Sequence, residues 1–143
     1  MDAGKGLLSI LLVEDEPLLR RALARSLVVR GHRVDEAASR EGALALAAGN
    51  VYDLLLLDVN LPDATGWDVL RDLAAAGRSL PTVVLSAVPP NPQRVKEFRP
   101  VGVLHKPFPI DALIRLVGRV AAASGVPPPG AATAHAPPDA RPA

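Results

Sequence analysis

The chain has 143 residues, 49% of them hydrophobic and 22% charged, with a formal net charge of +1. This length supports one domain with a real core, and the near-neutral balance gives no electrostatic basis for binding nucleic acid or an anionic membrane surface. With no cysteine, disulfides, thiol catalysis and cysteine-ligated metals are excluded, which accords with a reducing cytosol and a cytoplasmic location.

The apolar run over 8–13 predicts a first strand. Leu7–Val13 following Lys5 imitates a signal-peptide core, but Glu14-Asp15-Glu16 comes at once with no small-residue cleavage site, so the run reads as a buried strand. No apolar stretch approaches the length of a membrane span. A helix is predicted from about Pro17, since proline suits the first helical turn. Leu18, Leu19, Ala22, Leu23 and Leu27 then recur at helical spacing, with Gly31 as the stop.

A short strand follows over 33–37. Ser39 suits an N-cap for a helix through Ala43, Leu44, Leu46 and Ala47 that closes at Gly49-Asn50. The all-apolar run 54–57 is too short for a helix and reads as a strand buried on both faces. Residues 62–66 are loop, and Trp67, Leu70 and Leu73 mark a third helix ending near Gly77. A fourth strand is expected over 82–85 and a fifth over 101–104. Between them, Pro89, Pro90, Pro92 and Pro100 leave room for a short fourth helix over about 93–98 only, because proline disrupts helix interiors. Residues 110–123 predict a final amphipathic helix. Residues 1–6 form a lead, and 124–143 a Pro- and Ala-rich tail with too little apolar surface to offset its ordering entropy, hence expected to be disordered.

Strands alternating with helices imply an α/β fold with a doubly wound, five-stranded parallel sheet. In such a sheet the active edge lies at the carboxyl ends of the strands. Glu14, Asp15, Asp58, Ser86 and Lys106 all fall at or just beyond predicted strand ends. Carboxylates gathered at one edge oppose each other's ionisation, so the cluster reads as a site for a cation.

Four segments carry a resemblance: Leu12-Val13-Glu14-Asp15-Glu16-Pro17, Asp58-Val59-Asn60-Leu61-Pro62 with Gly66, Leu85-Ser86-Ala87, and Lys106-Pro107-Phe108. Their order and spacing over residues 7–123 resemble a bacterial two-component response-regulator receiver domain. The resemblance implies the flavodoxin-like strand order 2-1-3-4-5. It implies Asp58 as phosphoacceptor, with Mg²⁺ held by Asp15, Asp58 and the main-chain carbonyl of Asn60, and by Glu14 through water. Lys106 would supply charge to the phosphoryl oxygens, and Ser86 its hydroxyl. The implied donor is a sensor histidine kinase or phosphotransfer protein, and the output an unknown protein partner. With no effector domain following residue 123, the expectation is a stand-alone receiver that binds neither nucleic acid nor membrane. It would catalyse only its own phosphorylation and dephosphorylation.

Taken singly, each residue has a plainer reading. Asp58 suits a strand-end turn, Glu14 and Asp15 suit a helix N-terminus, Ser86 suits a turn, and Lys106 suits a solvated loop. Their conjunction favours the site. His32, His105 and His135 have no ligand spacing, His105 being expected on the strand face opposite Lys106, and Trp67 reads as core. A phosphatase with an aspartyl nucleophile would want an acid at position 60, where Asn60 stands. A flavodoxin-type phosphate cradle is disfavoured by Glu14-Asp15-Glu16.

Departures from the family pattern suggest an alternative. The first acid is Glu14 where aspartate is usual, and Ser86 replaces the commoner threonine. Val103 stands where a switch tyrosine or phenylalanine is frequent. The missing ring at Val103 and the proline-rich segment over 89–100 motivate a second reading, a phosphorylation-insensitive pseudo-receiver acting as a constitutive interaction module.

Overall fold

The computed structural model describes residues 7–123; the expected lead over 1–6 and tail over 124–143 lie outside the described residues. Ten elements alternate: β1 (Ser9–Val13), α1 (Pro17–Val29), β2 (Arg33–Ala37), α2 (Arg40–Gly49), β3 (Leu54–Asp58), α3 (Gly66–Ala75), β4 (Thr82–Ser86), α4 (Pro92–Phe98), β5 (Gly102–His105) and α5 (Ile110–Ala123). The strands form one parallel sheet in the order β2-β1-β3-β4-β5, the expected topology. Each expected element is present, with ends moved by one or two residues.

Period-two alternation divides the sheet's side chains between two cores. Ile10, Leu12, Leu54, Leu56, Val83 and Leu85 face α1 and α5, packing on Leu23, Leu27, Leu113 and Val117. Leu11, Val13, Leu55, Leu57 and Val84 face α2 and α3, packing on Ala43, Ala47, Trp67 and Leu70. Burial on both faces explains why β3 is apolar until its last residue.

Helix ends follow their local chemistry. The Glu16 side chain accepts from Leu19 N–H at 2.7 Å to cap α1 before Pro17, and Gly31 leaves that helix at φ 97°, a left-handed turn that glycine makes at little cost. Ser39 caps α2 as expected, accepting from Gly42 N–H at 3.0 Å. Helix α4 has seven residues and buries none of them. Phe98 ties it to α3 by stacking on Trp67 at 6.0 Å between ring centroids, with the Arg71 guanidinium over the Phe98 ring at 5.9 Å. Val103 on β5 is 39% exposed, so no large side chain fills that position.

Just before β2, His32 Nδ1 accepts from Leu8 N–H at 3.0 Å, which requires that nitrogen to be unprotonated. Burial, aided by the charge of Arg30, lowers the His32 pKa below its ordinary 6.5. The folded state therefore binds this proton less readily than the unfolded chain. Its contribution to stability is full above pH 6.5 and declines as pH falls from there toward the folded value. Urea midpoints should fall between about pH 6.5 and 5.5 in the wild type, and less steeply in His32→Asn, which keeps an acceptor without the titration. Equal slopes would refute this role.

Candidate functional site

Three acids meet at the carboxyl edge of the sheet. Glu14, Asp15 and Asp58 each present a carboxylate oxygen, and these oxygens lie within 4.8 Å of one another. β1 delivers the first two and β3 the third, because the strands are hydrogen-bonded neighbours in register, Val13 opposite Leu57. Glu14 is fully buried and Asp58 is 3% exposed, whereas Asp15 faces solvent.

Lys106 reaches the same point from the end of β5. Its Nζ lies 2.7 Å from Glu14 Oε1 and 3.0 Å from Asp58 Oδ2. The Lys106 N–H donates to the Ser86 carbonyl at 2.8 Å, fixing the residue to the end of β4. His105 is exposed while Lys106 turns inward, as strand alternation predicts. Asn60 N–H donates to Asp58 Oδ1 at 3.1 Å, so the loop after β3 begins on the acid itself. Arg20 braces the other loop, its guanidinium donating to the Glu14 carbonyl at 3.0 Å and to Glu36 at 3.1 Å.

The charges respond to this crowding. Burial pushes the Glu14 carboxyl above its ordinary range, and the nearby charge of Asp58 adds to the rise; Lys106 and the N–H of Glu16 oppose it. Burial alone would lower the Lys106 pKa, but its bonds to Glu14 and Asp58 outweigh that and hold it above its usual value. A half-buried ammonium is thus kept charged by the acids that it neutralises.

The sequence of this chain, compared with known families, matches the response regulator receiver domain over residues 10–118. The chain belongs to that family. As a receiver domain it is 37% identical over 115 residues to the probable transcriptional regulatory protein SilR of Salmonella typhimurium, an alignment covering 79% of this chain and 49% of SilR. It is 36% identical over 115 residues to the transcriptional regulatory protein CusR of Escherichia coli, again over 79% and 49%. The chain therefore spans about half the length of these curated relatives. Among solved structures, chemotaxis response regulator CheY4 of Vibrio cholerae superposes with a TM-score of 0.74 at 27% identity, covering 80% of this chain and 98% of that one. The response regulator TrrA of Thermotoga maritima, solved in complex with Mg²⁺ and BeF, gives 0.68 at 28% identity over 78% and 97%.

All six residues singled out from the sequence belong to this edge, though not all are engaged alike. Glu14, Asp15, Asp58 and Lys106 converge, and Asn60 is bonded to Asp58. The Ser86 hydroxyl instead donates to the Val88 carbonyl, while Val88 N–H returns to Ser86 Oγ at 3.3 Å. That hydroxyl is committed to the β4–α4 loop. The donor set suits a hard divalent cation: three carboxylates offering oxygen ligands within 4.8 Å of one another, with negative charge in excess of the one ammonium that Glu14 and Asp58 share. Among the described residues no helix is long and apolar enough to cross a membrane.

Arg20, against the Glu14 carbonyl, and Gly66, against the Asp58 carbonyl, shape the same edge. A Cβ on Gly66 would stand 2.5 Å from the Asp58 carbonyl oxygen and 3.2 Å from its carbonyl carbon, main-chain atoms that cannot swing aside. Gly66→Ala should therefore displace the loop after Asp58 and cost roughly 1–3 kcal/mol, the range for overpacking. An unchanged urea midpoint would refute that close approach.

Proposed function

We propose that this receiver domain accepts a phosphoryl group on Asp58 from a phosphohistidine of a partner kinase or phosphotransfer protein. The observation that carries the reading is the convergence of three carboxylates and one ammonium on the end of β3. The family assignment and the likeness to TrrA, solved with Mg²⁺ and BeF, support it.

In this reading Asp15, Asp58 and the main-chain carbonyl of Asn60 hold Mg²⁺, with Glu14 assisting through water. When bound, the ion neutralises charge on the phosphoryl oxygens and so lets two anions approach. The Asp58 carboxylate oxygen bonds to phosphorus as the phosphorus–nitrogen bond to the donor imidazole breaks, its electron pair staying on nitrogen. Lys106 already spans Glu14 and Asp58 and follows the charge from carboxylate to phosphoryl oxygen. Ser86 exchanges the Val88 carbonyl for a phosphoryl oxygen, and the β4–α4 loop is freed in the same step. The output is then a protein contact.

Intact mass after incubation with acetyl phosphate and Mg²⁺ tests the reading. The wild type should gain one phosphate, and no gain would overturn it. The exposed Val103 favours a second reading, a phosphorylation-insensitive interaction module. That reading is excluded if a beryllofluoride complex shifts amide resonances across 88–104, well beyond the acid cluster.

A further inference from the structure

Asp63 sits five residues beyond Asp58, and its carboxylate leaves its own loop. Oδ1 accepts from Arg40 N–H at 2.9 Å and Oδ2 from Glu41 N–H at 3.1 Å. These are the first two amides of α2, while Ser39 Oγ takes the third, that of Gly42. One carboxylate thus satisfies two donors that no helical carbonyl reaches, at the end of the helix where negative charge is favoured. The bond from Arg40 N–H, chief among several, holds the Asp63 carboxyl below the usual carboxylate range. Arg40 adds a second tie, its Nε donating to Asp72 of α3 at 2.7 Å.

The loop so anchored is internally braced. Leu61 N–H donates to the Ala64 carbonyl at 3.1 Å and Gly66 N–H to the Val59 carbonyl at 2.7 Å. Asn60 and Thr65 form an antiparallel bridge across it. Thr65 and Asp68 close its far end as a capping box for α3. A stiff loop transmits displacement of its tip to its base, and its base is Asn60.

We propose that Asp63 is a positioning residue for the cation site: by clamping the β3–α3 loop to the N-terminus of α2, it sets where Asn60 stands relative to Asp15 and Asp58. The inference rests on the reading that this cluster holds Mg²⁺ with the Asn60 carbonyl as a ligand. Magnesium demands near-ideal octahedral geometry and tolerates a misplaced ligand poorly. The clamp lies outside the coordination sphere and acts through the loop.

The test is MgCl₂ titration of the ¹⁵N-labelled protein, following the amides of residues 14–16 and 58–60, for wild type, Asp63→Ala, Asp63→Asn and Ser39→Ala. Asp63→Ala should raise the Mg²⁺ dissociation constant roughly 10-fold, the low end for a partner beyond the ligands. Asp63→Asn, which keeps one acceptor oxygen, should recover part of that loss. Ser39→Ala removes a cap from the same helix end without touching the loop, and should bind Mg²⁺ like the wild type. Amide exchange at Leu61 and Gly66 should quicken in Asp63→Ala and not in Ser39→Ala. Unchanged Mg²⁺ affinity or unchanged exchange in Asp63→Ala overturns the proposal, as does equal weakening in Ser39→Ala. A wild type with no saturable Mg²⁺ shift instead removes the magnesium reading itself, and the positioning role with it.

Discussion

Asp58→Ala should abolish the gain of one phosphate that acetyl phosphate and Mg²⁺ produce in the wild type. The expected loss is at least about 100-fold in rate, a barrier rise of about 2.7 kcal/mol or more. The neighbouring acids are poor substitutes for different reasons. Glu14 is fully buried and its carboxylate is engaged by Lys106 at 2.7 Å and by the Glu16 N–H at 3.1 Å, so it is not free to reach an incoming phosphorus. Asp15 stands out in solvent, where nothing fixes its approach to an incoming phosphorus. Asp58 closes β3 with a donor on each oxygen, Asn60 N–H on one and Lys106 on the other, beside the exposed Asp15. Misfolding is not an adequate alternative explanation for a negative result. Removing one of three converged carboxylates relieves repulsion on Glu14 and so offsets part of the lost bonding. The measurement is intact mass with far-ultraviolet circular dichroism on the same samples. An equal mass gain in folded Asp58→Ala would move the acceptor elsewhere.

The fold was legible because both of its periodicities are written plainly. Leu54-Leu55-Leu56-Leu57 has no polar member, and a run too short for a helix that is apolar throughout suits a strand covered on both faces. Pro17, Ser39 and Gly31 mark helix ends by their own backbone and side-chain chemistry, independent of tertiary context. The acid cluster followed from topology: once β1 and β3 are parallel neighbours, residues just past their ends must meet. Lys106 was legible for the same reason, through β4 and β5.

What escaped the sequence are contacts that no period or spacing encodes. Asp63 reaches Arg40 across 23 residues, and Arg20 reaches Glu36 across 16. Each depends on how two elements happen to be placed, and each polar residue also makes sense as a solvated one. The stacking of Phe98 on Trp67 belongs to the same class, since α4 has no buried face to announce its packing. Within the cluster, the sequence could not rank the two adjacent acids by depth. Glu14 continues the inward course of β1 and is buried, while Asp15 opens toward solvent. A glutamate suits the deeper position here because its longer arm meets Lys106 at 2.7 Å.

Lys106→Met should be the most destabilising change at this edge when the protein is kept metal-free with a chelator. The substitution preserves most of the aliphatic volume and removes the charge that Glu14 and Asp58 share. Breaking a buried ion pair from one side typically costs about 3–5 kcal/mol. The lower figure is the expectation here, because the Lys106 side chain is itself 20% exposed. The pH dependence should also change in a defined direction. The Glu14 pKa is raised by burial in the wild type, despite Lys106. Without the ammonium it rises further, so the folded state binds this proton more readily than the unfolded chain over a wider range. Stability from that proton is full below the unfolded value near 4.5 and is lost as pH rises through the folded value. The deficit of the variant against the wild type should therefore narrow on mild acidification, both proteins sharing the same His32 contribution. Mg²⁺ should rescue it too, since a ligand at 100 times its dissociation constant adds about 2.7 kcal/mol. Urea denaturation of both proteins at about pH 7 and 5.5, with chelator and with Mg²⁺, measures all three effects. If Lys106→Met unfolded with the wild-type midpoint in chelator, the ammonium would not be what keeps these carboxylates buried together.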